Sequence, residues 1–359
     1  NLTVSCDNTI IKYPENMDEE LYRAIKAELE EELGYRGDLT SAALASVKFV
    51  NLDLSEYPEI TSLRGLSYCV NLRTLNISGL KITDGTMNQI STLSYLEAFI
   101  ARGCELDNLS DGGSPTLKNA INLRLIDLSD NNFTSLDSVF AEGVRYGKLR
   151  EVYLTNNKLN DIDALSRAPL VDYLSLANNG LTTEDTACLA NFPILSYLSL
   201  ADNNIDSVEH LKGLKLLQEL RLHNNNISNV NDLRRLIHLE ALYLGNNKIK
   251  DIGFLNTLTK LKVLYVNDNE ITDISDLTSL AELEAININN NMVSSLSVLN
   301  NYKSTLTEIY AENNQLTDFS FINGATELHI LMLAGNKTDI IQNNMSTWLA
   351  GLTKMQILT

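Results

Sequence analysis

Histidine and cysteine are the side chains of this chain best suited to acid–base catalysis, nucleophilic attack or zinc binding. No HExxH, GxSxG, P-loop or GxGxxG motif accompanies them, and no CxxC or Cys/His grouping has the spacing of a zinc site. The eight residues are His210, His223, His238, His329, Cys6, Cys69, Cys104 and Cys188. Their spacing therefore gives no catalytic motif and no metal-site motif.

A repeated segment shows how these side chains must be distributed. Residues 217–227 read LQELRLHNNNI, and residues 239–249 read LEALYLGNNKI. The two segments begin 22 residues apart, at 217 and 239, and both fit the pattern LxxLxLxxNxI. Self-similarity at such a period is the signature of a solenoid, and this unit is a leucine-rich repeat.

The repeat also separates the histidines and the cysteines from one another. The four histidines fall at four different offsets of the repeat, so they cannot converge on one metal or one nucleophile. Neighbouring strands lie about 4.8 Å apart, which puts Cys104 and Cys188, in well-separated repeats, beyond disulfide reach. We therefore expect free thiols, no metal, no cofactor and no enzymatic activity.

Each position of the repeat has a physical role. Side chains alternate along a strand, so Leu220 and Leu222 point into the core while Arg221 and His223 point outward. Asn225 lies where the strand ends, and its amide can satisfy backbone groups that would otherwise be buried without hydrogen bonds. The same position is predicted to hold a structural ladder of ten asparagines: Asn131, Asn157, Asn179, Asn203, Asn225, Asn247, Asn269, Asn291, Asn314 and Asn336.

The pattern predicts an α/β solenoid, a right-handed curved rod with a parallel β-sheet on its concave side. A unit of 22 residues is too short for a full return helix, so the convex side should be irregular or 3₁₀. Two longer units should carry a loop at 107–115 and one or two helical turns at 138–146. Before the repeats, Asn16 and Glu19 resemble a capping box, and Gly34 would end the helix that follows. Its apolar stripe is Leu21, Ile25, Leu29 and Leu33.

Three segments follow from these patterns. Residues 1–48 are predicted to form an α-helical N-terminal cap, residues 49–338 about 13 repeats of ~22 residues, and residues 339–359 a last partial repeat or C-terminal cap. A fourteenth strand is predicted to open at Leu352.

The outward positions of the strands are the best candidates for function. Six of the 14 tyrosines are predicted to face the concave side, where Tyr243 and Tyr265 would be about 5 Å apart. Tyrosine and arginine are the residue types that anchor protein interfaces, although tyrosine also suits a strand without any partner. The predicted partner-binding residues are Tyr153, Tyr173, Tyr197, Arg221, His223, Tyr243, Tyr265 and Tyr310.

Charge and hydropathy narrow the class of partner. The formal net charge is −18, from 28 basic and 46 acidic residues, which argues against nucleic acid as a ligand. The sequence contains no run of 18 apolar residues, so we expect no membrane insertion. We expect a monomer that binds a protein. The acidic net charge of the chain favours a partner with a basic surface.

The chain resembles the bacterial internalin family over about residues 12–350. The resemblance depends on the 22-residue unit, on the second half of each unit, as in ITDISDL at 271–277, and on a helical cap that runs into the first strand. It implies a secreted or cell-surface adhesin that binds a host or other protein on its concave face. The alternative is an intracellular regulatory subunit, like the phosphatase-binding leucine-rich-repeat proteins, and would be cytoplasmic.

Overall fold

A computed structural model describes residues 8–337 and 344–359 of the chain. Cys6 and the predicted segment boundary at 338/339 lie outside the described residues. The chain divides into two compact units, Asn1–Ser175 and Leu176–Thr359. The division into cap, repeats and terminal segment stays a prediction.

Two α-helices lie in the described part of the first unit: α1, Glu19–Leu33, and α2, Ser41–Leu44. Asp18 caps α1, because its Oδ1 accepts two backbone N–H groups of the first turn, at 3.0 and 3.2 Å. The predicted cap at Asn16 is wrong. The Oδ1 atom of Asn16 instead accepts the backbone N–H of Lys12 in the preceding turn.

The apolar stripe of α1 packs inward as predicted for three of its four members. Leu21, Ile25 and Leu29 are buried, whereas Leu33 is 41 % exposed in the last turn of the helix. Gly34 ends α1 in the left-handed region with φ 65°, a conformation that glycine adopts without steric cost.

The first unit contains eight strands among its described residues, and six of them pair in parallel in the order β1, β2, β3, β6, β7, β8. The bounds are β1 Asn51–Asp53, β2 Thr74–Asn76, β3 Ala98–Ile100, β4 Ser110–Asp111, β5 Ser114–Pro115, β6 Leu125–Asp127, β7 Glu151–Tyr153 and β8 Tyr173–Ser175. β4 and β5 form an antiparallel hairpin outside this sheet. The predicted loop at 107–115 is therefore a short hairpin.

The second unit contains eight parallel strands in chain order within the residues described. Their bounds are β9 Tyr197–Ser199, β10 Glu219–Arg221, β11 Ala241–Tyr243, β12 Val263–Tyr265, β13 Ala285–Asn287, β14 Glu308–Tyr310, β15 Ile330–Met332 and β16 Ile357–Leu358. The leading residue of the last unit lies three residues later than predicted. Gln356 N donates to His329 O, so Met355, and not Leu352, is the residue in register with the leading leucines.

Every three-residue strand buries its middle residue, as alternation across a sheet requires. The regular strand begins two residues after the leading leucine of each unit. In one example, β10 starts at Glu219, while Leu217 N still donates to Leu214 O in the preceding turn. The parallel sheet, open at its edges, confirms the predicted leucine-rich-repeat solenoid.

Short 3₁₀ helices connect many of the strands, as predicted for a unit of this length. They are Leu66–Tyr68, Thr86–Thr92, Asp163–Arg167, Glu184–Asn191, Glu209–Leu211, Asn231–Arg235, Gly253–Thr257, Ser297–Tyr302 and Ser320–Ile322, and one α-helix, α3, spans Met345–Ala350. The helical turns predicted at 138–146 are wrong. This segment forms non-helical turns, in which Tyr146 N donates to Arg167 O of the next repeat.

Cys69, Cys104 and Cys188 are buried, and none of the three forms a disulfide in the described part of the chain. Burial raises the pKa of the Cys69 thiol to about 12 and that of the Cys104 thiol to about 11, which keeps both protonated at neutral pH. None of the helices in the described part of the chain is long and apolar enough to cross a membrane.

Glu28 joins α1 to the first repeat, because the Tyr57 hydroxyl donates to its Oε1 at 2.9 Å. Burial and the nearby carboxylates of Glu31 and Glu32 raise the pKa of Glu28 above its ordinary 4.5. A carboxyl group whose pKa is raised by folding stabilises the fold less as the pH rises past its unfolded value.

We therefore expect Glu28→Gln to raise stability at pH 7 by less than about 1 kcal/mol, with the gain disappearing near pH 4. The amide keeps an acceptor for Tyr57, so only the charge is removed. Urea unfolding midpoints at the two pH values measure the effect. A lower midpoint for the variant at pH 7 would contradict this account.

Candidate partner-binding surface

The turns after β6 to β15 are each built around an asparagine at the predicted ladder position. In the second unit, Asn225 Nδ2 donates to Leu222 O at 3.1 Å and to Leu200 O of the preceding repeat at 2.9 Å. Its Oδ1 accepts the backbone N–H of Ile205 at 2.9 Å. Hydrogen bonds to the preceding repeat recur at the other predicted positions: Asn131, Asn157, Asn203, Asn247, Asn269, Asn291, Asn314 and Asn336. Asn179 donates to Leu176 O and Ala177 O within its own turn.

Cys104 occupies the same position in an early repeat. Its Sγ donates to Ile77 O at 3.1 Å, the same bond across the repeat that asparagine makes elsewhere. The thiol thus takes over one of the hydrogen bonds of the missing amide. A weak S–H donor is sufficient for one carbonyl.

A second ladder, which the sequence analysis missed, lies directly outside the first. The residue before nine of the ten turn asparagines is an asparagine or aspartate with a left-handed backbone, with φ between 50° and 60°. We call this the outer ladder: Asp130, Asn156, Asn178, Asp202, Asn224, Asn246, Asp268, Asn290 and Asn313. Asparagine and aspartate tolerate this conformation best after glycine, and Gly335 takes the same place before Asn336. Their recurrence at one offset was visible in the sequence.

The open face of the sheet is the face that carries the first and third residues of each strand. On this face of the second unit, the Arg221 guanidinium lies 4.8 Å from the ring centroid of Tyr243 and 5.8 Å from that of Tyr197. Arg221 Nε also donates to Glu219 Oε1 at 2.7 Å. The cation is therefore held in place by two aromatic rings and one carboxylate.

Two further tyrosines continue this arrangement. The ring centroids of Tyr243 and Tyr265 are 5.3 Å apart at 76°, so the rings meet edge to face. Tyr265 lies 6.1 Å from Tyr310, although β13 separates their strands, because Asn287 between them is small. We call Tyr197, Arg221, Tyr243, Tyr265 and Tyr310 the aromatic stripe.

The first unit brings together the other two predicted tyrosines. The ring centroids of Tyr153 and Tyr173 are 5.0 Å apart, and the Tyr153 hydroxyl donates to Glu151 Oε2 at 2.8 Å. Both rings are half-buried on the open face of their own unit. Whether these residues and those of the stripe bind a partner stays a prediction.

The ionisation states on the stripe are set by burial and by close ion pairs. Burial alone would lower the pKa of Arg221, but the hydrogen bond to Glu219 and the electrostatic attraction of Glu219, Tyr197 and Tyr243 together raise this pKa. Burial raises the pKa of Tyr243 and of Tyr265, which therefore remain neutral phenols. Burial and the charge of Arg221 lower the pKa of His223, so its imidazole is neutral at pH 7.

The part of the chain that the structure describes contains no group of three or more His, Cys, Asp or Glu side chains that could hold a metal ion. The stripe contains only one formal charge, that of Arg221, which is paired. It presents flat phenol rings with hydrogen-bonding ends, side chains of a kind that is common in protein interfaces.

Comparisons with known proteins identify the repeat and the family. Models described as leucine-rich repeats match residues 169–227 and, in overlapping pairs of units, 215–257, 237–279 and 259–301. A search of curated proteins gives no match. Among solved structures, an internalin, InlF, of Listeria monocytogenes is 30 % identical, with TM-score 0.80, over 95 % of this chain and 94 % of that chain.

Two more distant structures share the fold. The functional domain of InlJ from Listeria monocytogenes is 17 % identical, with TM-score 0.57, over 88 % of this chain and 75 % of that chain. A leucine-rich-repeat protein of Leptospira interrogans is 19 % identical, with TM-score 0.55, over 89 % of this chain and 98 % of that chain. The likeness to InlF extends over nearly the full length of both chains, and on this ground the present chain belongs to the internalin family.

Proposed function

We propose that this chain is a non-enzymatic protein-binding module that holds a partner protein on the open face of its second unit. The observation that carries the proposal is the aromatic stripe, in which four tyrosines and one arginine pack side by side on an accessible sheet. Tyrosine and arginine are enriched among the residues that dominate binding energies.

The packing of the stripe supports this role. Each ring is half-buried against its neighbours, so little side-chain entropy remains to be lost when a partner binds. The alternating buried residues of the strands fix the backbone beneath the rings. A rigid aromatic surface of this kind is pre-organised for a protein partner.

The proposed location is outside the bacterial cell, either secreted or on the cell surface, where the partner could be a protein of a host. Membership of the internalin family supports this location. Brief trypsin treatment of intact cells should remove a surface-displayed chain, while a cytoplasmic marker stays intact. Protection of the chain until the cells are lysed would contradict the proposal.

A photo-crosslinking experiment tests the binding face. One variant carries benzoylphenylalanine at Gln218, which is exposed immediately before β10, and the matched control carries it at Arg234, which is exposed on the 3₁₀ helix of the same repeat. We expect crosslinks to an extracellular protein from position 218 and about tenfold fewer from position 234. Equal yields from both positions would overturn the assignment of the face.

A further inference from the structure

A groove opens beside the aromatic stripe, where the strands of the second unit end. It encloses about 490 Å³, and its walls include His223, Tyr243, Tyr265 and Asn267. Its floor is Gly245, where a Cβ atom would lie 2.7 Å from Asn267 Oδ1 and 2.9 Å from Asn267 Nδ2. Any side chain here would meet Asn267, so the glycine keeps the groove open.

A carboxylate borders the groove at the outer ladder. Asp268 Oδ1 accepts Asn290 Nδ2 at 2.7 Å, and Asp268 Oδ2 accepts Asn267 Nδ2 at 2.7 Å. These neutral amides fix the carboxylate in position without cancelling its charge. Among the described residues, Asp268 makes no ion pair.

The residues that line the groove include no lysine or arginine, and two cations of these repeats are already paired. Arg221 is bound to Glu219 at 2.7 Å, and Lys262 is bound to Glu240 at 2.8 Å. The whole chain carries a formal charge of −18, so an approaching cation is attracted over a long range. The groove therefore contributes an uncompensated negative charge beside the stripe.

The tyrosine rings supply the second element of cation binding. The face of a phenol ring attracts a guanidinium or ammonium group within about 6 Å of its centroid. The chain itself gives an example, since the Arg221 guanidinium lies 4.8 Å from the Tyr243 centroid. Tyr265 meets Tyr243 edge to face and has no such cation of its own among the described contacts.

We propose that this groove receives a lysine or arginine side chain of the protein partner, with its aliphatic stem against Tyr243 and Tyr265 and its charge facing Asp268. This inference rests on the proposed function and specifies its chemistry: the partner presents a basic residue to the stripe. The half-buried ring walls suit the stem, and the carboxylate at the border suits the charged end.

Small probes test the groove without requiring the partner itself. The chain is labelled on its tyrosine rings and titrated, with NMR detection, with N-acetyl-arginine amide and N-acetyl-lysine amide. The neutral N-acetyl-citrulline amide is the comparison. We expect the tyrosine ring signals assigned to positions 243 and 265 to shift with a Kd on the order of 1–10 mM for the cationic probes. The citrulline probe should bind at least about 2-fold more weakly.

Three variants locate the effect. Asp268→Asn should weaken the cationic probes about 2- to 5-fold, because asparagine occupies this ladder position in neighbouring repeats and keeps the backbone conformation. Gly245→Asn should abolish the shifts, because the added side chain fills the floor of the groove. Asparagine is chosen because it occupies the equivalent position, 267, in the next repeat. Asp130→Asn is the control, since it removes the same charge at the same ladder position in the first unit.

Equal affinity of Asp268→Asn and the unmodified chain, or equal binding of the citrulline probe, would overturn the proposed basic side chain. Face-specific crosslinking of a protein could persist in that case. The proposed protein-binding function would then stand, while the proposed preference of the groove for a lysine or arginine side chain would not. Loss of the face-specific crosslinks would contradict the proposed function instead.

Discussion

Replacing Tyr243 and Tyr265 together with alanine is expected to weaken binding of the partner by at least about 2 kcal/mol, or about 30-fold in Kd. The two rings lie at the centre of the aromatic stripe, with Arg221 on one side and Tyr310 on the other. Their removal deletes the contact area of two rings and also frees Arg221 from one of its aromatic neighbours. The expected loss therefore exceeds that of either ring alone.

Calorimetric titration with the protein identified by crosslinking measures this change. Tyr95→Ala is the control, because Tyr95 is 57 % exposed but precedes a strand and is not part of the stripe. Both variants should keep the circular dichroism spectrum of the parent chain, since each ring is at least partly exposed. An unchanged Kd for the double variant would remove the stripe from the binding site.

Replacing Asn225 with alanine is expected to lower the free energy of unfolding by about 1–3 kcal/mol. The amide satisfies the carbonyl groups of Leu200 and Leu222 and the N–H of Ile205, all of them in the buried turn. Alanine offers no donor or acceptor in their place. The cost is that of buried backbone groups left without hydrogen bonds.

The adjacent Asn226→Ala is a matched control, because the side chain of Asn226 is exposed. It should change stability by no more than about 0.5 kcal/mol. Urea unfolding curves for both variants, fitted with a common m-value, give the difference. Equal midpoints for the two variants would show that the turn asparagine contributes nothing to stability.

The repeat period alone was sufficient to predict the fold and the open face. Once Leu220 and Leu222 are assigned to the core, side-chain alternation places Arg221 outward, and the 22-residue spacing brings Tyr243 and Tyr265 beside it in register. These are consequences of local geometry repeated without change. They require no knowledge of contacts between distant residues.

The cap of α1 could not be predicted in the same way. Asn16 and Asp18 are both good capping residues, and the choice between them depends on the first repeat. Asp18 N donates to Arg64 O at 3.0 Å, and Met17 is fully buried against Gly65, where a Cβ atom would lie 2.8 Å from the methionine. A contact across more than 40 residues of sequence thus fixes the helix start (18 to 64).

The groove was equally hidden in the sequence. Its floor exists because Gly245 replaces a side chain at one position of one repeat, and its charged border depends on how Asn267 and Asn290 orient Asp268. In the sequence, Gly245, Asn267 and Asp268 look like ordinary variation at outward-facing positions of the repeat. Only the side-chain directions distinguish an opening from a filled surface.

The hydrogen bonds of the turn asparagines have a consequence for how such a chain changes in length. Asn247 donates to Leu222 O, and Asn269 donates to Leu244 O, so each amide contacts an equivalent carbonyl one period earlier. Deleting residues 239–260, one complete period, would make the repeat of Asn269 follow directly on the repeat of Leu222. Asn269 would then donate to Leu222 O, as Asn247 does now. Duplication or loss of whole units in the gene can therefore lengthen or shorten the protein, whereas insertion of part of a unit would break the succession of bonds.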